Sequence, residues 1–215
     1  MVEKAPIFDQ IYKDYLSQIA TVDFKSVAPR LLAETEGDKI RIPLFGTDHT
    51  VSAKGIADPS GSQPSHSVSV ILAKYLLLCP QAHPAVREWV SYKDFKDAAP
   101  FVGGFVSNVD RFIAENFSGR PVDLETACRC LAGRPPESDI GLSYDLAMRF
   151  EALPRIPLLL LFNDADEDFP AQCKVLFERR AEKYLDMECL AMVGILLANY
   201  LKKALDENRG MTQAV

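Results

Sequence analysis

Residues 156–162 read IPLLLLF, and Leu158 to Phe162 are five apolar residues without a polar one between them. A run this short and unbroken suits a strand buried on both faces, and it is far too short to cross a bilayer. Such a strand needs partners on its edges and cover above and below, so it constrains the fold more than any other stretch. It empties into an acidic loop, Asn163 to Asp168, and Pro170 then opens a segment whose apolar positions recur at helical spacing: Cys173, Leu176, Phe177, Ala181 and Tyr184. A helix is expected there.

Upstream, Ile140, Leu142, Tyr144, Leu146, Met148 and Phe150 alternate with small or polar residues, the period of a half-buried strand. Leu153-Pro154-Arg155 turns it into the apolar strand. A second hairpin is expected from residues 40–45 (IRIPLF) and 50–56 (TVSAKGI), with Pro43 marking an edge strand. Helices are expected over residues 6–20, from a Ser26 cap to Ala33, over 67–78, from about Pro100 to Phe117, and in a shorter stretch near Asp123. A last helix begins at an Asp186 cap and frays after Glu207. REWVSYKDF, between them, reads as a linker or short strand. The expected fold is α+β: an antiparallel sheet built from two β-hairpins, packed with about six helices, in a single domain over residues 1–215. Asp58 precedes Pro64 as Asp164 precedes Pro170, and the same offset aligns the two hairpins. Residues 40–78 and 146–184 therefore read as a tandem strand–strand–loop–helix repeat.

Acidic side chains outnumber basic ones, 30 to 24, for a net charge of -6. That balance, with no Lys/Arg block, excludes the basic footprint of a nucleic-acid or anionic-membrane partner. The N-terminal residues lack the basic-then-apolar order of a signal peptide, and five scattered cysteines make no disulfide framework, so a cytoplasmic location is expected.

No catalytic signature stands out. Asp164, Asp166 and Asp168 alternate like the start of a calcium loop, but the sixth and twelfth positions hold Phe169 and Val175 instead of Gly and Glu. Two of these carboxylates suffice for a looser Mg²⁺ site; the plainer reading is solvated charge ahead of a helix. Cys173, near the expected helix start, is a candidate nucleophile, weighed against a buried structural thiol. Trp89 and Tyr92 are candidate pocket walls or core, and Asp58 is a candidate through its equivalence to Asp164. His49, His66 and His83 sit in no metal-spaced motif. No metal site and no cofactor are expected.

The run PRIPLLLLFNDADEDFPAQCKVLFERRAEKYL, with the earlier WVSYKDF, resembles domain-of-unknown-function family 3786, proteins of anaerobic bacteria and archaea. The resemblance covers about Phe24 to Leu201. Some members resemble fusions to a small cysteine-rich iron–sulfur domain of the kind seen in corrinoid proteins. The resemblance thus implies a place in corrinoid or one-carbon metabolism and an iron–sulfur or corrinoid protein as partner, but no catalytic residues. Two readings follow: a cytoplasmic binding or accessory module, or a small metal-assisted enzyme whose loop 163–168 holds a divalent ion and an anionic substrate.

Overall fold

The computed structural model describes residues 6–137 and 144–212, which form two four-stranded antiparallel sheets and six helices. The first sheet is a meander of β1 (Glu34–Glu36), β2 (Lys39–Leu44), β3 (Thr47–Ser52) and β4 (Gly55–Ala57). Ile40, Ile42 and Leu44 alternate inward and are buried, as the period-two pattern requires. The β2–β3 turn is Phe45-Gly46, both with positive φ (47° and 75°), the geometry that matches the right-handed twist of a two-residue hairpin. Phe45 accepts a backbone conformation that favours glycine because its ring is buried edge-on against Tyr200 at 5.6 Å. Pro43 does not sit on an edge strand. β1 pairs with Lys39–Arg41 only and ends before the proline, so no ladder bond is lost there.

The second sheet has the order β5 (Trp89–Ser91), β8 (Gln172–Glu178), β7 (Ile156–Asn163), β6 (Leu146–Leu153). The unbroken apolar run is β7, an interior strand buried along its length. Leu158, Leu160 and Phe162 face the main core with Met148, Phe150, Val175 and Phe177, while Leu159 and Leu161 lie on the opposite face. Of the alternating strand read upstream, Leu146 to Phe150 belong to β6; Ile140 and Leu142 lie outside the described residues.

Residues after Pro170 are the main departure from expectation. They form β8, not a helix, and a 3-10 turn, Arg179–Lys183, follows. Cys173, Val175 and Phe177 alternate inward as well as any helical set, and β7 needs a hydrogen-bonded partner on its second edge, which β8 supplies. The tandem repeat fails on the same finding. Its first copy ends in helix α3 where its second ends in β8, and the two hairpins stand in different sheets.

The helices are α1 (Pro6–Ile19), α2 (Phe24–Leu31), α3 (His66–Leu77), α4 (residues 102–117), α5 (Pro121–Cys130) and α6 (Met187–Thr212). Asp23, not Ser26, caps α2, which moves Pro29 into the second turn and ends the helix at Leu31. Pro121 opens α5 at its first position, so Asp123 lies in the first turn and is not the cap. Asp186 caps α6 as expected, accepting from the Cys189 amide at 2.9 Å, but the helix runs on past Glu207 to Thr212. Gly194 lets α6 approach α4: a Cβ there would lie 2.5 Å from the Phe105 ring.

α4 is interrupted by a π-helical turn, Val106–Arg111. The extra residue turns Asp110 onto β8 just beyond the end of β5. There its carboxylate accepts from the Val175 amide at 3.1 Å and from Lys174 Nζ at 2.9 Å. Asp110 thus completes the ladder where β5 is too short to do so. A single cluster of buried side chains runs from Ile40 and Leu44 in the first sheet to Phe150 and Phe177 in the second, and on to Leu197 and Leu201 of α6. Among the described residues, no helix is long and apolar enough to cross a membrane.

Candidate functional site

The acidic loop is held shut by its own carboxylates. Asp164 Oδ1 accepts from the Gly119 amide at 2.7 Å and the Ala165 amide at 2.8 Å. Asp166 Oδ1 accepts from the amides of Asp168 and Phe169 at 2.9 and 2.7 Å, while Asp145 Oδ2 accepts from the Asp164 amide at 2.7 Å. Asp168 is exposed. A shallow depression of about 350 Å³ lies over Asp145, Asn163, Asp164 and Asp166. Among the described residues, no group of three or more His, Cys, Asp or Glu side chains is arranged to hold a metal ion. Asp58 does the same work in its own loop, where Oδ1 accepts from the Ser60 amide and hydroxyl (2.9 and 2.6 Å) and from the Ser62 amide (3.1 Å). The Ser60 hydroxyl holds the Asp58 carboxyl below its usual range.

Cys173 lies on β8 inside the core, away from any helix N-terminus. Burial pushes its thiol well up, and the nearby Asp110 carboxylate adds to this. It is therefore packed as a small hydrophobe rather than activated as a nucleophile. Tyr92 is also core: its ring stacks on Phe105 with centroids 4.4 Å apart and an interplanar angle of 7°. Its hydroxyl donates to the Met187 carbonyl at 2.7 Å and is pushed up to about 12, by burial first and then by Asp186 and Glu188. Trp89 stands half-buried on β5, opposite Glu178. The residues singled out in the sequence thus hold three separate places together, and they do not converge on one pocket.

What does converge is a set of segments near the start of α6. An open cleft of about 740 Å³ lies where the end of α3, the loop at residues 96–101, the 3-10 turn after β8 and the first turn of α6 meet. Leu78, Phe101, Leu185 and Met187 give it an apolar base; Lys96 and Lys183 face Asp97, Glu182, Asp186 and Glu188 around it. Burial pushes the Asp186 carboxyl up, but the Cys189 amide and Lys74, at 3.1 Å, outweigh this and hold it below the usual range. Asp186 is thus a fixed negative charge beside the cleft. Of these residues only Asp186 carried a signal in the sequence, and that signal was of a helix cap. Lys96, Asp97, Lys183 and Glu188 are ordinary exposed side chains and Leu185 an ordinary core residue until the four segments meet.

The family model described as "Domain of unknown function (DUF3786)" matches residues 23–200. No curated protein and no solved structure gives a match.

Proposed function

The chain belongs to the DUF3786 family, and from that premise we propose that it is a binding or accessory module that holds a small ligand in the cleft at the start of α6. The observation that carries this reading is the cleft itself. Its volume of about 740 Å³ falls within the range usual for small-molecule sites, roughly 300–1,000 Å³, and it joins an apolar base to a few charged groups of both signs. Such a lining suits an amphoteric ligand with an apolar body. The remaining candidates support binding over chemistry, because the loop carboxylates are engaged by backbone amides and the Cys173 thiol is buried. The proposal includes a cytoplasmic setting and an iron–sulfur or corrinoid protein of anaerobic metabolism as partner. Five unpaired cysteines support the setting, and the family resemblance supports the partner.

Native mass spectrometry of the protein purified without oxygen tests this reading. The expected result is a retained organic adduct that is lost in the double variant Lys96→Ala, Lys183→Ala. A retained divalent ion that disappears in Asp164→Ala would overturn it in favour of the metal-assisted enzyme.

A further inference from the structure

Away from the cleft, the turn between β6 and β7 brings arginines together around one histidine. Arg155 is fixed at that turn from two sides. Its amide donates to Tyr75 Oη at 3.1 Å, and Tyr75, fully buried, donates to the Leu31 carbonyl at 3.1 Å. Arg155 Nε donates to the Arg30 carbonyl at 2.8 Å, and Nη1 stands 3.4 Å from His83 Nε2. Arg180, buried in the 3-10 turn after β8, approaches the same nitrogen with its Nη1 at 3.0 Å, while its Nε pairs with the buried Glu178 carboxylate. Two guanidinium donors therefore converge on one imidazole nitrogen. That nitrogen must be the acceptor, which places the ring proton on Nδ1, donating to Tyr184 Oη at 2.7 Å.

The arrangement is unbalanced in both hydrogen bonding and charge. Nε2 has one lone pair for two donors, and Arg155 holds the longer, weaker contact. Glu178 is the one carboxylate paired with these groups among the described residues. Arg155 and the neighbouring Arg30 bond only neutral acceptors: Arg30 reaches the Pro80 carbonyl and Gln81 Oε1, both at 3.0 Å. Partial loss of water, then the charges of Arg155, Arg180 and Arg87, push the His83 pKa below its usual range. This concentration of positive charge occurs in a chain whose net charge is -6. The Arg155 guanidinium is already held at Nε by the Arg30 carbonyl, and the Arg180 guanidinium by Glu178 and His83, so little ordering remains to oppose binding.

We propose that Arg155 and Arg180, with His83 between them, form a binding site for an oxyanion, the carboxylate or phosphate group of a small molecule. The anion docks against the Nη hydrogens of Arg155 that its contacts to Arg30 and His83 leave open, where planar paired donors suit either group. His83 stays neutral and accepts from Arg180, and Tyr184 holds the imidazole in the tautomer that allows this.

The test is calorimetric titration of the full chain with inorganic phosphate and, separately, with succinate, at constant ionic strength set with sodium chloride. The His83 imidazole resonance is followed in parallel by NMR. Saturable binding of at least one anion is expected, with a matching shift of the His83 signal and a loss of tenfold or more in affinity in Arg155→Ala. Binding of phosphate alone identifies a phosphate ligand, and binding of succinate alone identifies a carboxylate; either supports the site. Arg155→Lys keeps the charge but not the fork and is expected to weaken binding several-fold, which preserves the test if the alanine variant does not fold. Failure of both anions to bind saturably, or unchanged affinity in the folded Arg155 variants, overturns the proposal.

Discussion

Cys130 and Cys173 carry the same thiol in opposite settings. Cys130 is exposed at the end of α5, whereas Cys173, Cys128 and Cys189 are buried and their thiols are pushed up by that burial. Brief iodoacetamide treatment of the folded protein should therefore label Cys130 first, and peptide mapping should find Cys173 unmodified until denaturant is added. The histidines make a pH prediction. His49 is buried on the inner side of β3, and burial lowers its pKa against the opposing pull of the Thr47 carbonyl, Asp58 and Asp48. A histidine harder to protonate when folded leaves stability intact above the unfolded pKa, about 6.5. That stability is lost as pH falls through the lower folded value. Urea midpoints measured between pH 7 and pH 5 should fall, and should fall less in His49→Gln. The burial of Cys173 could be anticipated from its apolar neighbours, because helical and strand spacing both turn it inward. The meeting of His83 with Arg155 and Arg180 could not, since those residues are far apart along the chain and each is unremarkable alone.

Among the elements, β2 and the β6–β7 hairpin are readable because alternation and an unbroken apolar run are local signals, whereas the strand expected over 50–56 is two, β3 and β4, parted by a turn at residues 53–54. β8 is not readable, because its short window satisfies two periods at once, and the choice between them rests on β7, which needs a partner on its open edge. The π turn in α4 leaves no mark in composition; it is one inserted residue whose effect is to aim Asp110 at the Val175 amide. Burial pushes the Asp110 carboxyl up, against Lys174 and that amide, so the bonds it accepts replace the water it has lost. Asp110→Ala strands a buried amide and should destabilise the fold by about 2–3 kcal/mol in urea unfolding. A value near zero would show that water satisfies Val175 instead.

For the whole molecule, the two sheets meet through one core and one backbone bond, Phe45 N–H to the Ala152 carbonyl at 2.9 Å. A shared core predicts a single cooperative unfolding transition, with circular dichroism and Trp89 fluorescence reporting the same midpoint. Phe45→Ala removes the ring packed on Tyr200 at the point where the sheets join. It should cost about 3–5 kcal/mol while keeping that single transition; two separated transitions would mean that the sheets are independent units.

The pairing of β5 with β8 also sets an order of events during synthesis. Val90 must wait for Phe177, whereas each strand of the first sheet pairs with its neighbour across a short turn. As the chain leaves the ribosome, all four strands of the meander are out before β6 has been made, although the core that covers them is not. The second sheet closes only after Glu178 emerges and a long loop has been drawn together. Until then β7 has one edge open, a row of unpaired backbone groups and leucines of the kind that pairs with another copy.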